Sequence, residues 1–184
     1  SQKGIISRLT YILEEECDKS WDWRSEALEY LAKLADGGLR DAITLMDKCL
    51  SFSSELTVEN VVSALGVVDY DVMKELTKAL IDSENTQVIN IIEQIHSSGK
   101  DLKQFIRSYL NFVLDVRKYQ IFKSFDYIAI PNTQENEQFL NDMYNLQEDF
   151  MAILLDILVK LNSEIRYDSS PKYLIEAYLI GGVE

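Results

Sequence analysis

The chain of 184 residues is long enough for one good-sized hydrophobic core or two small ones. A composition of 47% hydrophobic and 27% charged residues excludes a disordered chain, and seven glycines with two prolines are too few for the many turns of an all-β sandwich. The formal net charge of −13 leaves no basic surplus for autonomous binding of duplex DNA, although a local basic groove stays open.

Three short helices are predicted before a polar break at residues 51–54. Apolar residues at helical spacing place them over about residues 5–16, 23–35 and 39–50. Asp36-Gly37-Gly38 ends the second helix, because glycine readily adopts the left-handed conformation at a helix C-terminus. Trp21 and Trp23 precede that helix, where an aromatic residue often packs onto the first turn.

Six further helices are predicted downstream, which makes the fold class all-α. Thr57 is the expected N-cap of a short helix ended by Gly66, and Asp69 caps the next one. Apolar residues on the helix that begins at Asp101 cover more than one face, which is typical either of an enclosed central helix or of one buried against a partner subunit. The helices are expected over about residues 57–65, 69–80, 88–95, 101–123, 134–162 and 171–179.

The cysteines bear on the cellular compartment of the protein, and the first residue bears on whether the chain is a piece of a longer one. Cys17 and Cys49 lack CxxC spacing and the single histidine, His96, is far from both, so we expect packing cysteines in a reducing compartment. No apolar run approaches the roughly 18–20 residues of a membrane span, and no signal peptide is present. Because the first residue is Ser1 rather than methionine, we expect a piece cut from a longer protein.

No set of residues is arranged for catalysis or for metal binding. Gly99-Lys100 is like the end of a phosphate-binding P-loop, but Gln94 and Asp101 stand where that motif needs a glycine and a Ser or Thr. His96 has no carboxylate or cysteine at useful spacing, so we expect it to be solvated. We therefore predict no catalytic residue and no metal ligand.

One stretch, residues 35–42, has residues suited to a phosphate. Arg40 is expected in the first turn of a helix, directly after Gly37 and Gly38, which let the backbone turn tightly. The positive end of the helix dipole favours anions, and the guanidinium group offers a planar set of donors for phosphate oxygens. On physical grounds alone, a surface arginine paired with a nearby acid is the better interpretation.

Residues 31–48, LAKLADGGLRDAITLMDK, resemble the ATPase lid of the gamma and tau subunits of bacterial DNA polymerase III, which are clamp loaders of the AAA+ class. The similarity spans nearly the whole chain, and Gly-Gly-x-Arg-Asp-Ala is its most specific part. Supporting motifs are Arg8-Leu9-x-x-Ile12, Leu56-Thr57-Val58-Glu59-Asn60-Val61 with Gly66, Gly99-Lys100-Asp101-Leu102-x-x-Phe105, and Ser170-Pro171 with Glu176.

The resemblance implies two domains: residues 1–54 as the three-helix AAA+ lid and residues 55–184 as a larger helical collar domain for oligomerisation. Arg40 would be the sensor-2 arginine that reaches the γ-phosphate of ATP, with Gly37 and Gly38 forming the turn that supports it and Asp41 stabilising that turn. The P-loop and the Mg-binding acidic box of the family belong to an upstream domain that this sequence lacks.

Cofactors and catalytic activity follow from the same resemblance. The longer subunit would be an ATPase, using ATP with Mg, within the DNA polymerase III holoenzyme, a DNA-directed DNA polymerase and nucleotidyltransferase. This chain alone is expected neither to hydrolyse ATP nor to hold a bound cofactor. Arg40 would couple the nucleotide state to the angle of the lid, as a hinge between two rigid bodies.

The implied partners are other clamp-loader subunits, namely delta, delta prime and further gamma or tau copies, bound through residues 55–184. The sliding clamp and primer–template DNA would be contacted only through the full complex, in the bacterial cytoplasm and away from membranes. The alternative is an unrelated helical adaptor or scaffold in which the Gly-Gly-x-Arg turn is coincidental. A self-sufficient helical enzyme is poorly supported, because no carboxylate cluster pairs with a histidine or with metal-ligand spacing.

Overall fold

The computed structural model describes residues 1–16, 21–65, 70–145 and 148–181, and this part of the chain is almost entirely helical. The prediction of an all-α protein is confirmed. The helices are α1 Gln2–Tyr11, α2 Ser25–Leu34, α3 Leu39–Phe52, α4 Val58–Leu65, α5 Tyr70–Ile81, α6 Asn85–Ser97, α7 Leu102–Phe122, α8 Gln134–Tyr144, α9 Glu148–Glu164 and α10 Pro171–Leu179. The strands are β1 Asp22–Trp23 and β2 Glu55–Leu56, and none of the described helices has the length and apolar character that a bilayer crossing requires.

The chain divides into two compact units. The first consists of Ser1–Val68 with Pro131–Thr133, and the second of Asp69–Ile130 with Gln134–Glu184. In the first unit α1, α2 and α3 pack against one another, and α4 packs against α2 and α3. Each helix turns one apolar face inward, and the side chains that this buries include Leu9, Leu28, Leu31, Ala42, Met46 and Val61.

A short parallel strand pair closes the first unit. The N–H of Asp22 donates to the carbonyl of Ser54 at 3.2 Å, and the N–H of Arg24 donates to Leu56 at 3.1 Å. Trp23 consequently lies opposite Leu56 in the ladder. The predicted start of the second helix near Trp23 is wrong by two residues, because the backbone there is extended and the helix begins at Ser25.

Helix α7 lies at the centre of the second unit. It packs against α8, α9 and α10, while α6 packs against α5 and α10. The hydroxyl groups of Thr77 on α5 and Tyr109 on α7 share a hydrogen bond of 2.9 Å in the buried interior. Gln120 adds a bond of 3.0 Å from its Nε2 to the carbonyl of Met143 on α8. The interpretation of α7 as an enclosed central helix therefore holds for most of its length.

The predicted ends of the later helices mostly agree with the structure. Thr57 caps α4, since its Oγ1 accepts from the N–H of Asn60 at 3.2 Å. Gly99 follows the end of α6 with a φ of +77°, and Pro171 is the first residue of α10. Asp101 caps α7 by accepting from the N–H of Lys103 at 2.9 Å.

One predicted helix is divided in two. The expected helix over residues 134–162 is α8, which ends at Tyr144, followed by α9, which begins at Glu148. The apolar pattern continues through the break, so periodicity alone did not reveal it. The predictions made for Cys17, Gly66, Asp69 and Leu146 lie outside the described residues.

The compact units do not divide at the break predicted between residues 54 and 55. Helix α4 and strand β2 follow that break in the sequence and lie in the first unit. The division into a lid domain of residues 1–54 and a collar domain of residues 55–184 stays a prediction.

Candidate functional site

The candidate site is the turn between α2 and α3. Helix α2 ends at Leu34, after which Asp36 and Gly37 adopt left-handed backbone conformations with φ of +44° and +85°. The N–H of Gly38 donates to the carbonyl of Ala35 at 2.8 Å and closes the turn. Two successive residues of positive φ reverse the chain within a few residues, so that α3 starts immediately afterwards.

Gly38 serves the turn in a different way from Gly37. Its φ of −86° is open to any residue, so conformational freedom does not explain the glycine. A Cβ atom at this position would instead lie 2.6 Å from Oδ2 of Asp41 and 3.2 Å from the carbonyl oxygen of Ala35. The expectation that both glycines serve the left-handed turn is therefore corrected, because the second one provides room for the Asp41 carboxylate.

Arg40 occupies the second position of α3 and its side chain is exposed. Within the described residues, its guanidinium group takes part in no ion pair or side-chain hydrogen bond. The acid next to it, Asp41, turns back over Gly38. Among the described residues, Arg40 therefore does not form the pair with a nearby acid that was expected on physical grounds alone.

The start of α3 presents two kinds of exposed groups side by side. Leu39, whose helical spacing with Ala42 and Met46 predicts a buried side chain, is instead exposed beside Arg40, so that prediction is wrong. The unpaired N–H groups of the first turn give this end of α3 a partial positive charge, which adds to that of the guanidinium. Chemically, the site offers a cation with a planar donor set beside an apolar side chain, which suits an anionic ligand that approaches from outside the unit.

The other residues considered from the sequence do not form a site. His96 is exposed, and the carboxylate of Glu93, one turn away, is bonded to Lys172, which lowers the pKa of Glu93. Cys49 is buried, as expected of a packing residue, and that burial raises the pKa of its thiol to about 11. Among the residues that the structure describes, no three His, Cys, Asp or Glu side chains are grouped so that they could hold a metal ion.

Comparison with known families decides the relationship of the chain. Residues 56–181 match the family described as DNA polymerase III subunits gamma and tau, domain III. Residues 4–55 match the ATPase lid domain of the DNA polymerase III clamp loader subunit. The chain belongs to the gamma and tau subunit family. The turn with Arg40 lies in the part of this gamma/tau chain that matches the ATPase lid, and the unrelated helical adaptor is not favoured.

Two distant relatives match all or nearly all of the chain. The tau subunit of DNA polymerase III from Bacillus subtilis is 24% identical over 181 residues, which are 98% of this chain and 31% of the relative. The gamma subunit from Buchnera aphidicola subsp. Schizaphis graminum is 21% identical over 188 residues, which are 100% of this chain and 50% of the relative. The chain thus spans between about a third and a half of the length of these two relatives.

A solved structure of the DNA clamp loader delta protein of Bacillus subtilis has a similar fold. The TM-score is 0.51 at 15% sequence identity, and the similarity covers 100% of this chain and 56% of that one. At this level of identity the similarity shows the shared fold alone.

Proposed function

We propose that this chain is the nucleotide-sensing lid and the assembly region of a clamp-loader subunit of DNA polymerase III. In the longer subunit, ATP held by a preceding domain is sensed by Arg40, and residues 55–184 join the subunit to its neighbours. The observation that carries the proposal is an exposed guanidinium group at the start of α3, without an ion pair in the described residues, in a segment that matches the ATPase lid.

The surroundings of Arg40 support a ligand from outside the unit. Another exposed arginine of the same unit, Arg24, is bonded to a neighbouring acid, Asp22. Arg40 has no such bond in the described residues, and the carboxylate of the adjacent acid, Asp41, lies over Gly38. A charge-assisted bidentate contact to a phosphate oxygen pair is among the stronger hydrogen-bonding arrangements of a protein.

Of the residues present, Arg40 is suited to contact the γ-phosphate of ATP. ATP supplies the phosphoanhydride bond, and this chain supplies a cation that distinguishes the triphosphate from the diphosphate. The ligands of the Mg ion and the catalytic groups would come from the longer subunit, since the described residues offer no grouped set of ligands. Hydrolysis is therefore a property proposed for the longer subunit within the DNA polymerase III holoenzyme.

The proposed partners are the delta and delta prime subunits and further gamma or tau copies, bound through residues 55–184. The sliding clamp and primer–template DNA would be reached only through the complete loader. Placement in the bacterial cytoplasm is part of the same proposal, and it rests on the bacterial replication proteins among the relatives.

Replacement of Arg40 in the full-length subunit tests the proposal. We expect Arg40→Ala to reduce ATP-dependent loading of the sliding clamp roughly tenfold or more, because a charge-assisted contact to the γ-phosphate is lost. Assembly of the subunits, measured by size-exclusion chromatography with light scattering, should be unchanged, since the exposed Arg40 side chain is not part of residues 55–184, through which the subunits are proposed to join. Arg40→Lys should keep part of the activity, because it retains the charge but loses the planar fork.

Lys48→Ala is the matched control for this experiment. Lys48 is an exposed cation about two turns further along the same helix. Its removal should leave clamp loading within twofold of wild type, a change of about 0.4 kcal/mol. Normal loading by Arg40→Ala, or an equal loss with Lys48→Ala, would refute the sensing role.

A further inference from the structure

The turn between α2 and α3 contains a peptide bond that can rearrange without a catalyst. Asp36-Gly37 is the only place in the chain where an aspartate is followed by a glycine, and no asparagine is followed by one. In such a pair the backbone nitrogen of the glycine can attack the side-chain carbonyl carbon of the preceding residue, because no Cβ atom hinders the approach. The product is a succinimide ring. The sequence therefore favours this reaction at Asp36.

The structure leaves both reacting groups accessible. Asp36 is exposed, and no atom lies within 4 Å of the place where a Cβ atom of Gly37 would be. The N–H of Asp36 donates to the carbonyl of Lys33 at 3.2 Å, and the N–H of Gly38 donates to that of Ala35 at 2.8 Å. Between them, the N–H of Gly37 has no acceptor among the residues that the structure describes. No hydrogen bond within this part of the chain therefore has to break before the nitrogen attacks.

The backbone conformation of the turn also favours its opening. Ring closure requires the backbone of Asp36 to rotate out of the geometry of the turn. Asp36 has a φ of +44°, a conformation that costs free energy in a residue with a Cβ atom, so leaving it recovers part of that cost. A short exposed segment between two helices also opens more readily than the helices themselves.

Another aspartate of the chain has different surroundings. Asp82 is exposed in the turn after α5, and the residue that follows it, Ser83, has a positive φ of +54°. The N–H of Ser83, however, donates to the carbonyl of Leu80 at 3.3 Å, and serine has a Cβ atom. The same reaction is therefore hindered at Asp82, which makes this residue an internal reference.

We propose that Asp36 is a site of spontaneous isoaspartate formation in the folded protein. The nitrogen of Gly37 attacks Cγ of the protonated carboxyl group, a C–N bond forms, the C–OH bond breaks, and the hydroxyl group leaves with the amide proton as water. A water molecule then opens the ring. Opening at the Cγ–N bond restores Asp36, whereas opening at the bond between the main-chain carbonyl carbon and the nitrogen gives isoaspartate, whose backbone runs through Cβ and Cγ.

The modification acts on Arg40 through the turn. Isoaspartate adds one carbon atom to the backbone between Ala35 and Gly37. The hydrogen bond from the N–H of Gly38 to the carbonyl of Ala35 spans this segment, so the longer backbone displaces the start of α3 relative to the end of α2. The expected loss of nucleotide sensing rests on the proposed function, but the reaction itself does not.

Ageing of the purified chain at neutral pH and physiological temperature tests the proposal. Trypsin releases residues 34–40 and 79–100, and an isoaspartyl O-methyltransferase with labelled S-adenosylmethionine then quantifies isoaspartate in each peptide. We expect on the order of tenfold more isoaspartate at Asp36 than at Asp82, because the bonded N–H and the Cβ atom of Ser83 raise the barrier. The succinimide should appear in residues 34–40 as a mass lower by one water molecule.

Two variants at position 36 complete the test, with circular dichroism to show that each aged chain stays folded. Asp36→Glu keeps the charge but would need a larger ring, which forms far more slowly, so residues 34–40 should stay unmodified. Asp36→Asn tolerates the left-handed conformation and loses ammonia more readily than the acid loses water, so isoaspartate should accumulate several-fold faster than in wild type.

Unmodified Asp36 in the aged wild-type chain, equal yields at Asp36 and Asp82, or no acceleration in Asp36→Asn would overturn the proposal. None of these measurements needs a nucleotide, so their failure is distinct from a failure of the Arg40 experiment. In the full-length subunit, ageing should also lower the affinity for a non-hydrolysable ATP analogue in proportion to the modified fraction. An unchanged affinity with Asp36 modified would contradict the link to Arg40 and leave the modification standing.

Discussion

Gly37 has a φ of +85°, a region in which an L-amino acid is strained, and no atom lies within 4 Å of the place where its Cβ would be. We expect Gly37→Ala to lower the free energy of unfolding of the first unit by about 1 kcal/mol through backbone strain alone. Gly37→Asn should cost less, because asparagine tolerates this conformation better. Urea denaturation monitored by circular dichroism measures both changes. Equal stability of Gly37→Ala and wild type would contradict the claim that the positive φ requires a glycine at this position.

Tyr109 and Thr77 share a buried hydrogen bond, and the loss of that bond leaves the two hydroxyl groups in different situations. Burial raises the pKa of Tyr109 well above its ordinary value, and its hydroxyl group bonds to Thr77, which also donates to the carbonyl of Met73 at 2.8 Å. Tyr109→Phe leaves Thr77 with that second partner and should cost about 1 kcal/mol of unfolding free energy.

Thr77→Val, by contrast, leaves the Tyr109 hydroxyl group buried without its partner and should cost about 1–3 kcal/mol. Chemical denaturation of the two single variants gives both values. A smaller loss of unfolding free energy for Thr77→Val than for Tyr109→Phe would contradict this interpretation of the pair.

At the turn between α2 and α3, the position of Arg40 could be predicted from the sequence, but the complete geometry of the turn could not. An arginine in the first turn of a helix after paired glycines could be predicted, because helix spacing and glycine preferences are local properties. The reason for Gly38 could not, since it depends on where the carboxylate of Asp41 turns, three residues later. Burial of Leu39 was predicted wrongly, because its spacing with Ala42 and Met46 fits the buried face although the residue lies at the exposed start of the helix.

Among the helices, the position and type of most elements followed from apolar periodicity, and the ends followed from caps. Thr57, Gly99 and Pro171 ended or began helices where their preferences indicated. The interruption between α8 and α9 was not predictable in this way, because the apolar spacing runs on across it. Periodicity reports which face is buried, and it does not report whether the axis continues.

The start of α7 depends on one side chain. Asp101 accepts from the N–H of Lys103 at 2.9 Å and from that of Gln104 at 3.4 Å. We expect Asp101→Ala to lower the free energy of unfolding by about 1 kcal/mol, since those N–H groups lose their acceptor. Asp101→Asn should be close to wild type, because the amide oxygen still accepts.

Asp82→Ala, in the exposed turn after α5, controls for the loss of an exposed acid and should change thermal stability little. A stability loss for Asp82→Ala as large as that for Asp101→Ala would show that net charge, rather than the cap, sets the effect.

For the whole molecule, the pairing of β1 with β2 was beyond prediction from the sequence. Each strand has two residues, and the partners Trp23 and Leu56 are far apart in the chain. Two-residue strands give no periodic signal, and a long-range contact is not encoded in local spacing. The pairing places residues that follow the predicted boundary at 54 into the first unit.

Truncated chains test this division. Leu56, Val58 and Val61 are buried in the first unit, and each contributes roughly 1.5–3 kcal/mol of burial free energy. We therefore expect residues 1–65 to melt cooperatively and at a higher temperature than residues 1–54. Equal melting temperatures by circular dichroism would show that β2 and α4 are dispensable for the first unit.

The most direct test of nucleotide sensing compares two ligands that differ in the γ-phosphate. Isothermal titration calorimetry on the full-length subunit would measure the affinity for ADP and for a non-hydrolysable ATP analogue, in wild type and in Arg40→Ala. We expect the substitution to lower the affinity for the ATP analogue on the order of tenfold and to leave the affinity for ADP unchanged, because only the triphosphate offers the group that Arg40 is proposed to contact. Equal affinities of wild type and Arg40→Ala for the triphosphate would contradict it.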